Sequence, residues 1–197
     1  MQAQIDKRKL TNKEILDMYQ ELLPLHFPVD ELKPIDLIQD LLSKNLYSGY
    51  GFFEEDEMMS YAFFVHSEKG TCALLDFYAV LPANRGKGLG STYLSLLKDA
   101  YSDMDGIIGE IEHIDWAKNE EEKTQRIRRA DFYKRNGWMT TDIHCHCFHV
   151  DYSIIYLPIQ RRMDAPEISK ELDALYQIIF KKSAIWSIDP NYSKRLK

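Results

Sequence analysis

Residues 80–94 read VLPANRGKGLGSTYL. Three glycines, Gly86, Gly88 and Gly90, alternate with single residues here, in a chain that has only 9 glycines among 197 residues. Upstream, residues 72–81, CALLDFYAVL, form a nearly continuous apolar run, which fits a strand buried on both faces. Downstream, Tyr93, Leu94, Leu97 and Tyr101 recur at helical spacing. A strand that runs into glycines and then into a helix amino end builds an anion site. The unpaired N–H groups of the first helical turn point at the ligand, and the helix dipole adds positive potential. Glycine lets the backbone approach phosphate oxygens, and Arg85 and Lys87 add charge. The spacing is not that of a P-loop, which needs Gly, four residues, then Gly-Lys-Ser/Thr. Nor is it the dinucleotide fingerprint, whose last glycine falls three residues on.

Outward from this loop the elements alternate. Residues 10–23, LTNKEILDMYQELL, place Leu10, Ile15, Met18, Leu22 and Leu23 along one helical face, and Thr11 with Glu14 reads as a capping box. Pro24 and Pro28 are expected to stop that helix. A second helix starts at Pro34 and runs to Leu46. The segment YSGYGFFEEDEMMSYAFFVHS reads as two strands joined by the acidic turn Glu54-Glu55-Asp56-Glu57, with Tyr47, Tyr50, Phe52 and Phe53 as core aromatics or pocket lining. GIIGEIEHI (106–114) alternates as a strand. EEEKTQRIRRADFYKRNGW (120–138) is a helix with its acidic residues at the amino end, as the dipole prefers, closed by Asn136-Gly137. A last hairpin runs from Trp138 to Gln160 and turns near Val150-Asp151. PEISKELDALYQIIFKK is one more helix, followed by a polar finish. One mixed sheet with helices on both sides is the expected α/β architecture.

Composition narrows the class. The chain is 45% hydrophobic and 28% charged, as soluble globular proteins are, and its length suits one domain. A net charge of −6 and a pI near 5.5 disfavour a nucleic-acid partner. No apolar run approaches a membrane span, and the opening MQAQIDKRKL lacks the apolar core of a secretory signal. The 3 cysteines, Cys72, Cys145 and Cys147, argue for a reducing compartment, so a cytoplasmic protein is expected.

Arg85, Gly88 and Gly90 meet the pattern Arg/Gln, two residues, Gly, one residue, Gly/Ala of the acyl-CoA loop in the GNAT N-acetyltransferase superfamily. Val80-Leu81-Pro82 resembles the end of that family's fourth strand. RRADFYKRNGW resembles its later helix, in which a tyrosine sits four residues before a glycine-aromatic pair, here Tyr133, Gly137 and Trp138. The resemblance covers roughly residues 8–160. LLDFYAV, RGKGLG, GEIEH and VDYSIIYLP are together similar to a bacterial group within that superfamily. The fold implied is a mixed central sheet of about six to seven strands flanked by helices. Residues 1–160 would be the acetyltransferase domain, and residues 161–197 a C-terminal helical extension packed on the same domain.

The resemblance implies acetyl-CoA as co-substrate, and no metal is expected. The diphosphate would sit on the N–H groups of Arg85, Gly86, Lys87, Gly88, Leu89, Gly90 and Ser91. The pantetheine arm would bond main-chain groups of Ala79, Val80 and Leu81 like an added strand, with an N–H near Val80 polarising the thioester carbonyl. Tyr133 would give its proton to the leaving sulfur; packing against Phe132 and Ile127 is the alternative for it. Three carboxylates could relay the amine's proton through water. Asp76 sits inside an apolar strand, where an unpaired carboxylate is expensive, and Glu110 and Glu112 alternate onto one face of the next strand. Glu112 is the first choice. Pairing with Arg126, Arg128 or Arg129, or simple solvation, is the alternative for these carboxylates.

The function implied is transfer of acetyl to a primary amine of a small molecule or peptide, by direct attack in a ternary complex. A non-catalytic acyl-CoA-binding regulatory module is the alternative. A third possibility uses the stripe Leu172, Leu175, Ile178 and Ile179 for a partner, although that stripe also suits self-packing or a homodimer seam. The acidic balance favours cationic acceptors such as polyamines, aminoglycoside-like amines or basic peptides. HCHCFH (144–149) places His144, His146 and Phe148 on one strand face and Cys145, Cys147 and His149 on the other. No second ligand pair has zinc-site spacing, so packing explains it more simply.

Overall fold

The computed structural model describes residues 5–147, 150–180 and 186–189. Backbone contacts divide the chain into two compact units, residues 1–68 with 75–100 and residues 69–74 with 101–197.

In the first unit, Thr11 and Glu14 form the capping box that opens helix α1 (Asn12–Glu21). The Glu14 N–H donates to Thr11 Oγ1 at 3.3 Å, and the Glu14 carboxylate accepts from the Thr11 N–H at 2.8 Å. Ile15 and Tyr19 are its buried residues. Pro24 does not stop helical structure as expected. It lies in the first turn of a short helix, α2 (Leu23–His26), where a missing N–H costs no intrahelical bond. Helix α3 (Ile35–Ser43) follows Pro34 and buries Ile38, Leu41 and Leu42.

Strands β1 (Asp6–Lys9), β2 (Tyr47–Glu54), β3 (Glu57–Val65) and β4 (Cys72–Val80) lie in that order, with β4 entering this unit at Leu75. β1 and β3 both pair antiparallel with β2. The hairpin between β2 and β3 turns on Glu55 and Asp56 alone, whose φ values of 49° and 71° are those of a two-residue turn matching the strand twist. Helix α4 (Leu89–Ala100) buries Tyr93, Leu94 and Leu97, with the Tyr93 ring 5.1 Å from that of Phe52.

The second unit orders its strands β5 (Gly106–Glu112), β7 (Val150–Pro158), β6 (Met139–Cys147) and β8 (Trp186–Asp189), each antiparallel to its neighbour. Helix α5 (Glu120–Arg135) connects β5 to β6, and α6 (Ala165–Phe180) follows β7. Val150 and Asp151, near which the turn was expected, pair within β7 with Cys147 and His146 of β6, and residues 148–149 lie outside the described residues. Leu172, Leu175 and Ile179 are buried on α6 with Ile168, Tyr176 and Phe180, packed against β6 and β8 of the same unit, while Ile178 is only half-buried. Residues 181–185 and 190–197 lie outside the described residues, and among those described no helix is long and apolar enough to cross a membrane.

Candidate active site

β4 leads into the glycine loop with its main chain partly committed to β3. The Leu81 N–H donates to Met59 O at 2.9 Å, and Ser60 Oγ donates to Ala79 O at 2.9 Å. Because N–H groups alternate sides along a strand, the Val80 N–H points away from β3. Arg85 folds back, its Nε donating to Val80 O at 3.0 Å. A 3-10 turn, Pro82–Asn84, buries Asn84, whose side-chain oxygen accepts from Lys87 Nζ at 3.0 Å. Gly86 and Gly88 then take φ of +77° and +75°, and a Cβ built on either would meet nothing within 4 Å. These glycines serve backbone conformation first, and the clearance follows from where the turn points. Arg85–Gly88 are solvent-exposed, and α4 begins at Leu89, so its first-turn N–H groups have no intrahelical acceptor. The Tyr78 hydroxyl donates to Gly90 O at 2.8 Å and joins β4 to that turn.

Farther back on β4, Asp76 is 2% exposed and is not alone. One oxygen is ion-paired with Lys33 Nζ, itself 9% exposed, and the other accepts from the Tyr47 hydroxyl at 2.6 Å. Lys33 Nζ also lies 5.2 Å from the centre of the Phe77 ring, and the Tyr19 hydroxyl holds the Lys33 main chain. His26 Nδ1 and the Tyr61 hydroxyl are 2.8 Å apart, with their rings stacked. Burial, and next the positive Arg85, lower the His26 pKa below its usual value.

In the second unit, Glu112 is gripped by two guanidinium groups: Arg126 Nη2 at 3.2 Å on one oxygen and Arg129 Nη1 at 2.6 Å on the other. Arg126 is buried and also pairs with Glu122 at 2.6 Å. Glu110 meets different chemistry. The Tyr176 hydroxyl of α6 donates to its Oε1, and Cys145 Sγ lies 3.0 Å from that hydroxyl and 3.9 Å from Glu110. Tyr133 projects from α5 with its ring edge-on to Phe132 at 5.4 Å and to Trp138 at 5.1 Å. Burial pushes its phenol up to about 12, with Arg129 pulling the other way, so the hydroxyl keeps its proton at neutral pH.

The description Acetyltransferase (GNAT) family belongs to the family model that matches residues 15–138, well over half of the chain. The chain belongs to the GNAT acetyltransferase family. A Bacteroides thetaiotaomicron protein assigned to the GNAT acetyltransferases superimposes on this GNAT protein with a TM-score of 0.69 and 18% identity, covering 90% of this chain and 99% of that one. The ribosomal-protein-S18-alanine N-acetyltransferase of Escherichia coli reaches 0.58 at 17% identity, over 82% of this chain and 98% of its own. The spermidine N-acetyltransferase of Vibrio cholerae, solved with CoA and spermine, reaches 0.57 at 12% identity, over 80% and 97%. At such identities the likeness is one of fold. No curated protein matches the sequence.

The mixed α/β arrangement is that of the GNAT fold, and family membership makes the chain an acyltransferase of a kind that uses acetyl-CoA. Within this GNAT protein, Ala79–Leu81 and Arg85–Ser91 form one continuous strand, turn and helix start. All three candidate carboxylates have partners, and of the arginines expected for them, Arg126, Arg128 or Arg129, it is Arg126 and Arg129 that hold Glu112. Tyr133 packs on Phe132, but Ile127 is 41% exposed. Cys145 and Cys147 are buried while His146 is exposed and bonded to Asp151 at 3.0 Å; among the described residues no three His, Cys, Asp or Glu could hold a metal ion, and Phe148 and His149 lie outside them. Sequence reasoning missed Lys33 and Tyr176, and had Tyr47 only as a core or pocket aromatic. Lys33 sits in a proline-flanked loop with no pattern to mark it. Tyr176 carried one signal, a hydroxyl on the buried stripe of α6, and a buried phenol needs a hydrogen-bond partner.

Proposed function

We propose that this GNAT protein transfers acetyl from acetyl-CoA to a primary amine of a small molecule or peptide, by direct attack in a ternary complex. The observation that carries this is the turn at Gly86 and Gly88, with positive φ at both, which opens onto the first-turn amides of a 12-residue helix. Arg85, Gly86, Lys87, Gly88, Leu89, Gly90 and Ser91 would hold the diphosphate. Ala79, Val80 and Leu81 would hold the pantetheine arm, with the outward Val80 N–H on the thioester oxygen, an interaction worth roughly 3 kcal/mol in the transition state.

The amine nitrogen attacks the thioester carbon, the C–S bond breaks, and the CoA thiolate takes the Tyr133 proton. The proton shed by the amine leaves through water to a carboxylate. Glu110, Glu112 and Asp76 are the candidate acceptors. The partners of Glu112 are two guanidinium groups, those of Asp76 are an ammonium and a phenol, and those of Glu110 include a phenol and a thiol. A water bound to Glu112 or Asp76 would compete with fixed cations for the oxygens. The chain's net charge of −6 favours a cationic acceptor.

Titration calorimetry and thermal shift with acetyl-CoA test the first step. No binding and no stabilisation at millimolar acetyl-CoA would end the proposal. Thiol release across a panel of primary amines tests the second. Because every candidate carboxylate is engaged, a non-catalytic acyl-CoA-binding module is the second reading. It expects CoA binding with no thiol release, and no consequence from Tyr133→Phe.

A further inference from the structure

Strand β3 reads EMMSYAFFV, and within it Ser60 is a small polar side chain in a buried apolar run, itself 0% exposed. A buried hydroxyl is costly unless it is hydrogen-bonded. Ser60 Oγ donates to Ala79 O on β4 at 2.9 Å. That carbonyl belongs to the peptide unit joining Ala79 to Val80, and the other end of the same unit is the Val80 N–H. The unit is trans, so the oxygen turns towards Ser60 and the N–H turns away from β3. A hydrogen bond accepted at a peptide oxygen withdraws electrons from the nitrogen and strengthens the N–H as a donor, by about 10–30%.

The next peptide unit, from Val80 to Leu81, is held at both ends as well. The Leu81 N–H donates to Met59 O at 2.9 Å, and Val80 O accepts from Arg85 Nε at 3.0 Å. Both peptide planes that flank Val80 are therefore fixed, and Met59 and Ser60, adjacent on β3, each hold one of them. Their reach has an origin in the strand pairing. Against β2, Phe52 pairs with Ser60 and Phe53 with Met58, so Met59 is one residue too many and β3 bulges there. A bulge bends its strand and re-aims the side chains beside it.

We propose that Ser60 is a positioning residue for acetyl transfer, its hydroxyl orienting and polarising the Ala79–Val80 peptide so that the Val80 N–H is a preset donor to the thioester oxygen. This rests on the role given above to the Val80 N–H. A donor fixed in advance needs no reorganisation as charge develops on the oxygen. The added polarisation of the N–H corresponds to a rate factor of about two to four.

Isotope-edited infrared spectroscopy of acetyl-CoA, labelled with carbon-13 at the acetyl carbonyl and saturating the full chain, reads this polarisation without an acceptor amine. A stronger hydrogen bond lowers the stretching frequency of a carbonyl. In Ser60→Ala the bound thioester band should move to higher wavenumber. Ser60→Cys, similar in size and a weaker donor, should fall between Ser60→Ala and the wild type, and it carries the comparison if Ser60→Ala does not fold. The nitrogen-15 shift of the Val80 amide in the ligand-free protein should move in the same order. A thioester band or a Val80 amide signal that the substitutions leave in place overturns the proposal, since a role confined to packing would lower the melting temperature and move neither. Failure of acetyl-CoA to bind the wild type ends the functional assignment and this inference with it, whereas binding with an unmoved thioester band ends the inference alone.

Discussion

The hydroxyl of Tyr78 donates to the carbonyl of Gly90 across 2.8 Å, fastening the strand that ends at Val80 to the first turn of α4. The two ends of the proposed co-substrate site therefore share one hydrogen bond. Tyr78→Phe removes it and leaves the ring in place. A neutral hydrogen bond contributes about 1 kcal/mol, so acetyl-CoA affinity should weaken by roughly fivefold. Titration calorimetry checks this, and an unchanged Kd would show that the phenol does not set the loop.

Gly86→Ala and Gly88→Ala should each destabilise the protein by about 1–2 kcal/mol. A Cβ has room at both positions, and the cost is the left-handed backbone alone. Gly106→Ala is a different case, because its Cβ would stand 2.4 Å from the Tyr156 ring and hydroxyl. That hydroxyl donates to Asp105 O or to Arg161 O, at 2.9 and 3.0 Å, so it cannot give way freely. Overpacking there should cost about 3 kcal/mol. Urea denaturation of the three variants should rank Gly106→Ala last in stability.

Lys33→Met strands the Asp76 carboxylate, which is 2% exposed, without its cation. Losing one partner of a buried pair costs roughly 3–5 kcal/mol, most of it the burden of the remaining charge. Adding Asp76→Asn should recover much of that loss, because the amide oxygen can still accept from Tyr47. Equal stability for the single and double variants in chemical denaturation would contradict this account.

His66 is half-buried, with its Nε2 2.7 Å from Ser48 Oγ, and burial, with a smaller contribution from Lys9, lowers its pKa to about 4. The unfolded chain binds a proton near pH 6.5 and the folded chain does not. Stability from this residue is therefore complete above about pH 6.5, falls as the pH drops towards 4, and levels off below. His66→Gln should flatten that part of the profile, leaving the shallower contributions of His26 and His113, whose pKa values burial also lowers. Denaturation midpoints of both proteins between pH 4 and 7 give the comparison.

Elements set by neighbours a few residues apart were legible. The capping box at Thr11 and Glu14, the proline start of α3, the acidic hairpin turn and the glycine loop all appear where their residues indicate. Strand β1 was not, because Asp6-Lys7-Arg8-Lys9 has no apolar alternation and becomes a strand only through the edge that β2 offers it. β8 likewise exists through its pairing with β6. For Glu112 the sequence offered both proton acceptor and arginine partner, and only the fold shows that Arg126 and Arg129 take its two oxygens.

The order of elements from β2 to α6, the glycine loop and the family followed from the chain alone, because caps, alternation and turn residues act over one or two turns of backbone. Which partners each carboxylate meets was settled only on folding. Asp76 finds Lys33 across 43 residues and Glu110 finds Tyr176 across 66. Over such spans no local preference acts; side chains become neighbours through strand pairing and helix packing, and in the dry interior each charge then takes the partner the fold has placed beside it.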